Sequence, residues 1–152
     1  MFISLKPNEI YFFLVFAVFF VGCATPAAEI KQACFGADCF NVILAQTQNE
    51  REQGLMNIES MSENEGMLFL FAREAKHAIW MKNMYFPIDI IWLDQDYQVV
   101  YIEKNAPVCQ SDPCPRYLPE ENAFFVLEIN AGVTDKLNII KGDKMTVNYI
   151  QK

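Results

Sequence analysis

Along most of this chain, apolar residues come in short blocks parted by polar or turn-forming stretches, the pattern of strands rather than of long helices. "FNVILAQ" predicts a strand from Phe40. "TQNEREQGLM" then predicts a short helix, with Thr47 as N-cap, Glu50 at the capping-box position and Gly54 as its stop. "MLFLF" is too short and too apolar for an exposed helix and predicts a buried strand. In "HAIWM", His77, Ile79 and Met81 fall on one strand face, and Ala78 and Trp80 on the other. "IDIIWLD" and "YQVVYIEK", parted by Asp94-Gln95-Asp96, predict a hairpin. Ile88, Ile90 and Trp92 share one face of its first strand; Asp89, Ile91 and Leu93 share the other. Both faces are largely apolar, so this strand is expected at the centre of a sheet. "NAPVCQSDPCPRYLPEE" holds four of the seven prolines and is expected to be a long ordered loop. "AFFVLEIN" predicts a strand with Phe125, Leu127 and Ile129 inward and Glu128 opposed. A short helix, "TDKLNII", and a Lys141-Gly142-Asp143 turn lead to a last strand, "KMTVNYI". The sum is a mainly β single domain, a small sandwich or barrel with one or two short helices.

The N-terminus breaks this pattern. Ile10 to Val21 is an unbroken apolar run preceded by Lys6 and ended by Gly22-Cys23. The run is shorter than the roughly 20 residues that span a bilayer and suits the core of a signal peptide. A small residue followed by cysteine resembles the lipobox of bacterial lipoproteins, with Phe20 where the pattern prefers leucine. Residues 1–22 are therefore expected to be a signal peptide and Cys23 a lipidated N-terminus. Residues 23–38 would form a tether and first cysteine loop, and 39–152 the β domain. The expected location is the cell envelope, membrane-anchored and facing the periplasm or exterior. Outer-membrane placement follows in a Gram-negative cell, since Ala24, not aspartate, follows the cysteine.

Charge and cysteines narrow the partners. Twelve Lys plus Arg against nineteen Asp plus Glu give a net charge of −7 over 152 residues, with no basic cluster, which argues against nucleic acid. Beyond Cys23 there are four cysteines in two C-x4-C pairs, Cys34 with Cys39 and Cys109 with Cys114. Outside the cytoplasm an even set favours disulfides, for which three connectivities exist and local pairing is the simplest. A four-thiolate zinc site is the rival, although its pairs more often have C-x2-C spacing.

"REQGLM", "EGMLFLF", "WMKNMYFPIDIIWLD", "PCP" and "LEINAG", in this order, resemble the domain-of-unknown-function 192 family over roughly Phe40 to Tyr149. The resemblance implies a compact, mainly β domain of distorted jelly-roll type, often exported, and no established activity. Cys34 and Cys39 before the shared region, and Met84 and Tyr85 after the lysine and asparagine, depart from the family pattern.

Candidate chemistry is sparse. His77 is the single histidine, and neither a serine elbow nor a phosphate loop accompanies it. His77, Met81 and Met84 are soft-metal donors, but Met84 leaves the shared strand face, and neither metal nor cofactor is expected. Asp89, Glu103 and Glu128 lie on strands, where a carboxylate pair could support glycosidase-like hydrolysis. Between the runs flanking Lys82 and Asn83, a turn needs asparagine and Pro87, whereas lysine has no such role. Lys82, Asn83 and Asp89 are therefore expected to converge on a shallow pocket walled by Trp80 and Trp92. The favoured function is a lipid-anchored envelope protein that binds a small ligand or a protein partner without chemistry. The alternatives are a carboxylate-dependent hydrolase and a structural or assembly factor at the membrane.

Overall fold

The structure, a computed structural model, describes residues 29–150. The expected signal peptide and the lipidated Cys23 lie outside the described residues. Nine strands and two short helices follow in the order β1 (Glu29–Phe35), β2 (Asp38–Ala45), α1 (Gln48–Gln53), β3 (Glu65–Ala75), β4 (Ile79–Trp80), β5 (Ile88–Leu93), β6 (Val99–Ala106), β7 (Arg116–Tyr117), β8 (Ala123–Asn130), α2 (Val133–Lys136) and β9 (Thr146–Ile150). Seven strands form one sheet in the order β6-β5-β8-β3-β2-β1-β9, and β4 pairs with β7 in a small second sheet. All neighbours in the large sheet are antiparallel except β2 and β3.

The sheet curls until its two edges meet at one end. Gln98 bridges Lys144, and Gly142 and Met145 donate to the carbonyls of Val99 and Tyr97. The result is a sandwich-like single domain, not a closed barrel. One apolar cluster, with Leu68, Ile91, Leu93, Leu127 and Met145, fills the inside of the curl. A second, with Met67, Phe69, Met81, Ile90, Trp92 and Val126, covers the other face. Strand β5 is buried along its whole length, which is why both of its faces are apolar apart from Asp89.

The sheet begins earlier than the expected boundary at residue 39. Glu29–Phe35 pairs with both β2 and β9, burying Ile30 and Ala33, so part of the expected tether is a strand of the domain. Cys34 and Cys39 face each other across the β1–β2 hairpin and are bonded; Cys109 and Cys114 close the second local loop. The zinc alternative falls with these bonds. "HAIWM" contributes only the two residues of β4, which pair with Arg116–Tyr117, not with β5. The proline-rich segment thus contains a short strand inside its loop.

Candidate functional site

The five residues expected to share a pocket are divided between surface and interior. Trp80 is 39% exposed, and Lys82 Nζ lies 5.4 Å from its ring centroid. Asn83 adopts φ 54°, the left-handed conformation that asparagine tolerates, and its carbonyl accepts from the Asn57 amide at 2.9 Å. Asp89 and Trp92 are fully buried. Trp92 donates its indole N–H to the His77 carbonyl at 2.8 Å. Asp89 points to the α2 side of the sheet, where both carboxylate oxygens are used. Asn105 N and Gly132 N donate to Oδ1 at 2.8 and 3.1 Å, and Thr134 N and Oγ1 donate to Oδ2 at 2.9 and 2.7 Å. Asp89 thus ties β5, β6 and the start of α2 together. Lys82 pairs instead with Asp112, at 3.9 Å, on the Cys109–Cys114 loop.

The other acids and donors weighed from the sequence are also separated. Glu103 accepts from the Tyr101 hydroxyl at 3.2 Å. His77 stacks flat on Phe71 with centroids 3.5 Å apart, and burial lowers its pKa. Met81 and Met84 are core residues.

Glu128 is different. It sits on β8 between Ile90 of β5 and Met67 of β3, in direct register with both, so its sheet neighbours offer no polar group. It is only 4% exposed, and burial pushes its pKa up to about 8. No hydrogen bond to its carboxyl and no ion pair within 4 Å is found among the described residues, and its oxygens are not sealed from solvent. It lines a recess of about 50 Å³ with Leu55, Met56 and Met84. That recess shares Arg51, Glu52, Phe69, Ala78, Ile79 and Trp80 with a cleft of about 270 Å³, which Gln48, Phe71 and Arg116 complete.

The walls of this cleft follow from local sequence. Thr47 and Glu50 form a reciprocal capping box that fixes the start of α1, and Gly54 ends the helix with φ 49°, its amide bonded to the Glu50 carbonyl at 2.8 Å. Arg51 is thereby directed across the chain, where its guanidinium donates to the Gln46 and Leu70 carbonyls and lies 5.2 Å from the Phe71 centroid. The β4–β7 pair brings Arg116 to 6.0 Å from the Trp80 ring centroid.

Sequence reasoning named Trp80, which lines the cleft, and Lys82, which lies beside that ring but lines a different pocket; it did not name Arg51, Arg116 or the place of Glu128 in the recess. The available signal was a lone acid in the middle of "AFFVLEIN". In a strand flanked on both sides, such an acid has nowhere to reach solvent except through a gap in the covering layer.

The family model described as "Uncharacterized ACR, COG1430", the domain-of-unknown-function 192 family, matches residues 31–147. Two crystal structures are similar. A protein of unknown function from Novosphingobium aromaticivorans DSM 12444 is 30% identical, with a TM-score of 0.70 over 82% of this chain and 94% of that one. A Sinorhizobium meliloti 1021 protein described as a proposed transcription regulator is 31% identical, with a TM-score of 0.68 over 83% of this chain and 98% of that one. No curated protein matches.

Proposed function

This chain belongs to the domain-of-unknown-function 192 family, which supplies a fold but no activity, and we propose that it is a small-ligand-binding module whose site is the Trp80 cleft with Glu128 at its floor. The observation that carries this reading is the Glu128 carboxyl. It has no protein partner among the described residues, and its oxygens open onto the recess instead of being sealed in the core. A carboxyl with a raised pKa that faces a cleft marks a candidate binding site. The surrounding surface has the composition of a ligand site, with aromatic and aliphatic walls and a few convergent polar groups.

A thermal-shift screen of the folded protein against sugars, peptides and organic acids tests it. Compounds that raise the melting temperature should lose that effect in both Trp80→Ala and Glu128→Gln. Hits that stabilise both variants as they do the parent place binding elsewhere.

Two-carboxylate hydrolysis finds less support, because Asp89 is held by four donors and Glu103 by Tyr101. The regulator description of the Sinorhizobium protein transfers poorly to a chain of net charge −7.

The module would work at the cell envelope, anchored through Cys23. Supporting this are the Ile10–Val21 run before Gly22-Cys23 and two local disulfides, which persist in oxidising compartments. A Cys23→Ser variant should leave the membrane fraction or retain its signal. Unchanged fractionation and migration would remove the anchor.

A further inference from the structure

Resting on the reading that the Trp80 cleft holds a small ligand, we infer that its occupant is an organic acid, bound with its anionic group beside Arg116 and its uncharged end toward Glu128.

The charge distribution points outward from the floor. Lys104, Lys136 and Lys141 are each in close contact with an acid, Asp135, Glu63 and Glu121 respectively. Arg51 and Arg116 line the cleft and have no carboxylate within 4 Å among the described residues. Arg51 donates to two backbone carbonyls, which leaves Arg116 the freer of the two. Glu52 also lines the cleft and accepts from the Gln48 side chain at 2.7 Å. Two arginines against one glutamate give the cleft a local positive excess on an acidic protein.

Arg116 is also well placed to bind, because its guanidinium lies 6.0 Å from the Trp80 ring centroid, a contact that positions the head without using up its N–H donors. Carboxylates, sulfonates and phosphates all match such donors.

The floor favours the opposite character. The recess beside Glu128 is small, and Leu55, Met56, Phe69 and Met84 line it together with Arg51 and Glu52, so an anion entering it loses hydration and meets the Glu52 and Glu128 carboxyls. An uncharged hydrogen-bonding or apolar end loses far less. Ligand polarity should therefore run from neutral inside to anionic outside.

Two fluorescent probes that share one anilinonaphthalene body separate the possibilities. 8-Anilinonaphthalene-1-sulfonate carries an anion; N-phenyl-1-naphthylamine does not. The full-length folded protein should bind the sulfonate at least roughly tenfold more tightly, the worth of one or two charge-assisted hydrogen bonds. The Arg116→Gln variant should lose most of that preference while keeping its melting temperature and its affinity for the neutral probe. Glu128→Gln should shift both probes together and leave their ratio intact.

Equal affinity for the two probes, or a preference that survives Arg116→Gln, overturns the anionic site at Arg116. A ratio abolished by Glu128→Gln overturns the orientation. If the neutral probe binds and is lost in Trp80→Ala, either result leaves the ligand cleft standing and removes only the organic acid. If neither probe binds, or if Trp80→Ala changes nothing, the cleft reading and this inference fall together.

Discussion

On adjacent strands β5 and β8, Asp89 and Glu128 are both buried carboxyls, yet their surroundings differ in kind. Asp89 accepts from three backbone amides and a hydroxyl, so its charge has been exchanged from water to fixed donors. Removing it in Asp89→Ala strands those amides, and we expect a loss of at least about 3 kcal/mol in urea denaturation. Asp89→Asn, which keeps the shape and part of the acceptor capacity, should cost less. Glu128 faces Ile90 and Met67, and burial has moved its pKa from 4.5 to about 8. Between those values the unfolded chain has released the proton and the folded protein has kept it. Stability should therefore fall as pH rises through that window and level off above it, by roughly 4–5 kcal/mol at most. Glu128→Gln should flatten this slope between pH 5 and 8.5, with its main gain at the alkaline end. An unchanged slope in the variant would assign the pH dependence to other groups.

Where elements could be recognised locally, the sequence already contained them. The Thr47–Glu50 capping box, the buried "MLFLF" strand and the β5–β6 hairpin each have a signal within one segment, and each is present. The β1 strand lacked such a signal because a register shift between Ile30 and Gln32 breaks the alternation that marks a strand. The β4–β7 pair was hidden for a different reason. Two residues pairing across a long separation leave no periodicity, so the contact that sets Arg116 beside Trp80 exists only in three dimensions. Of the residues that line the candidate cleft, Trp80 was thus legible within one stretch, whereas Arg51 and Arg116 were not. At this scale, Thr47→Ala should cost about 1 kcal/mol by removing the cap of α1, and it should weaken ligand binding through Arg51. Gly66→Ala tests the close approach of β3 and β8. A Cβ there would lie 2.8 Å from the Glu128 carbonyl oxygen, a backbone atom that cannot swing away, so a loss of about 1–3 kcal/mol by thermal unfolding is expected.

Across the whole molecule, two covalent loops and one long-range pairing define how the domain is held. Each disulfide closes only a short loop, so reduction should remove roughly 2 kcal/mol per bond by chain entropy while leaving the far-ultraviolet signature of the sheet in place. Loss of the sheet signal on reduction would show that the hairpin and the proline-rich loop depend on their bonds far more than this. The β1–β9 pairing has another consequence, one of timing. The first described strand finds its outer partner only in Thr146–Ile150, so the outer edge of β1 waits on residues made at the far end of the domain. Topologies that join distant segments fold slowly. A nascent chain of this kind keeps that edge unpaired until nearly all of it has been synthesised. Shortening the chain to end at Asp143 should therefore leave the outer edge of β1 bare and the product prone to aggregate.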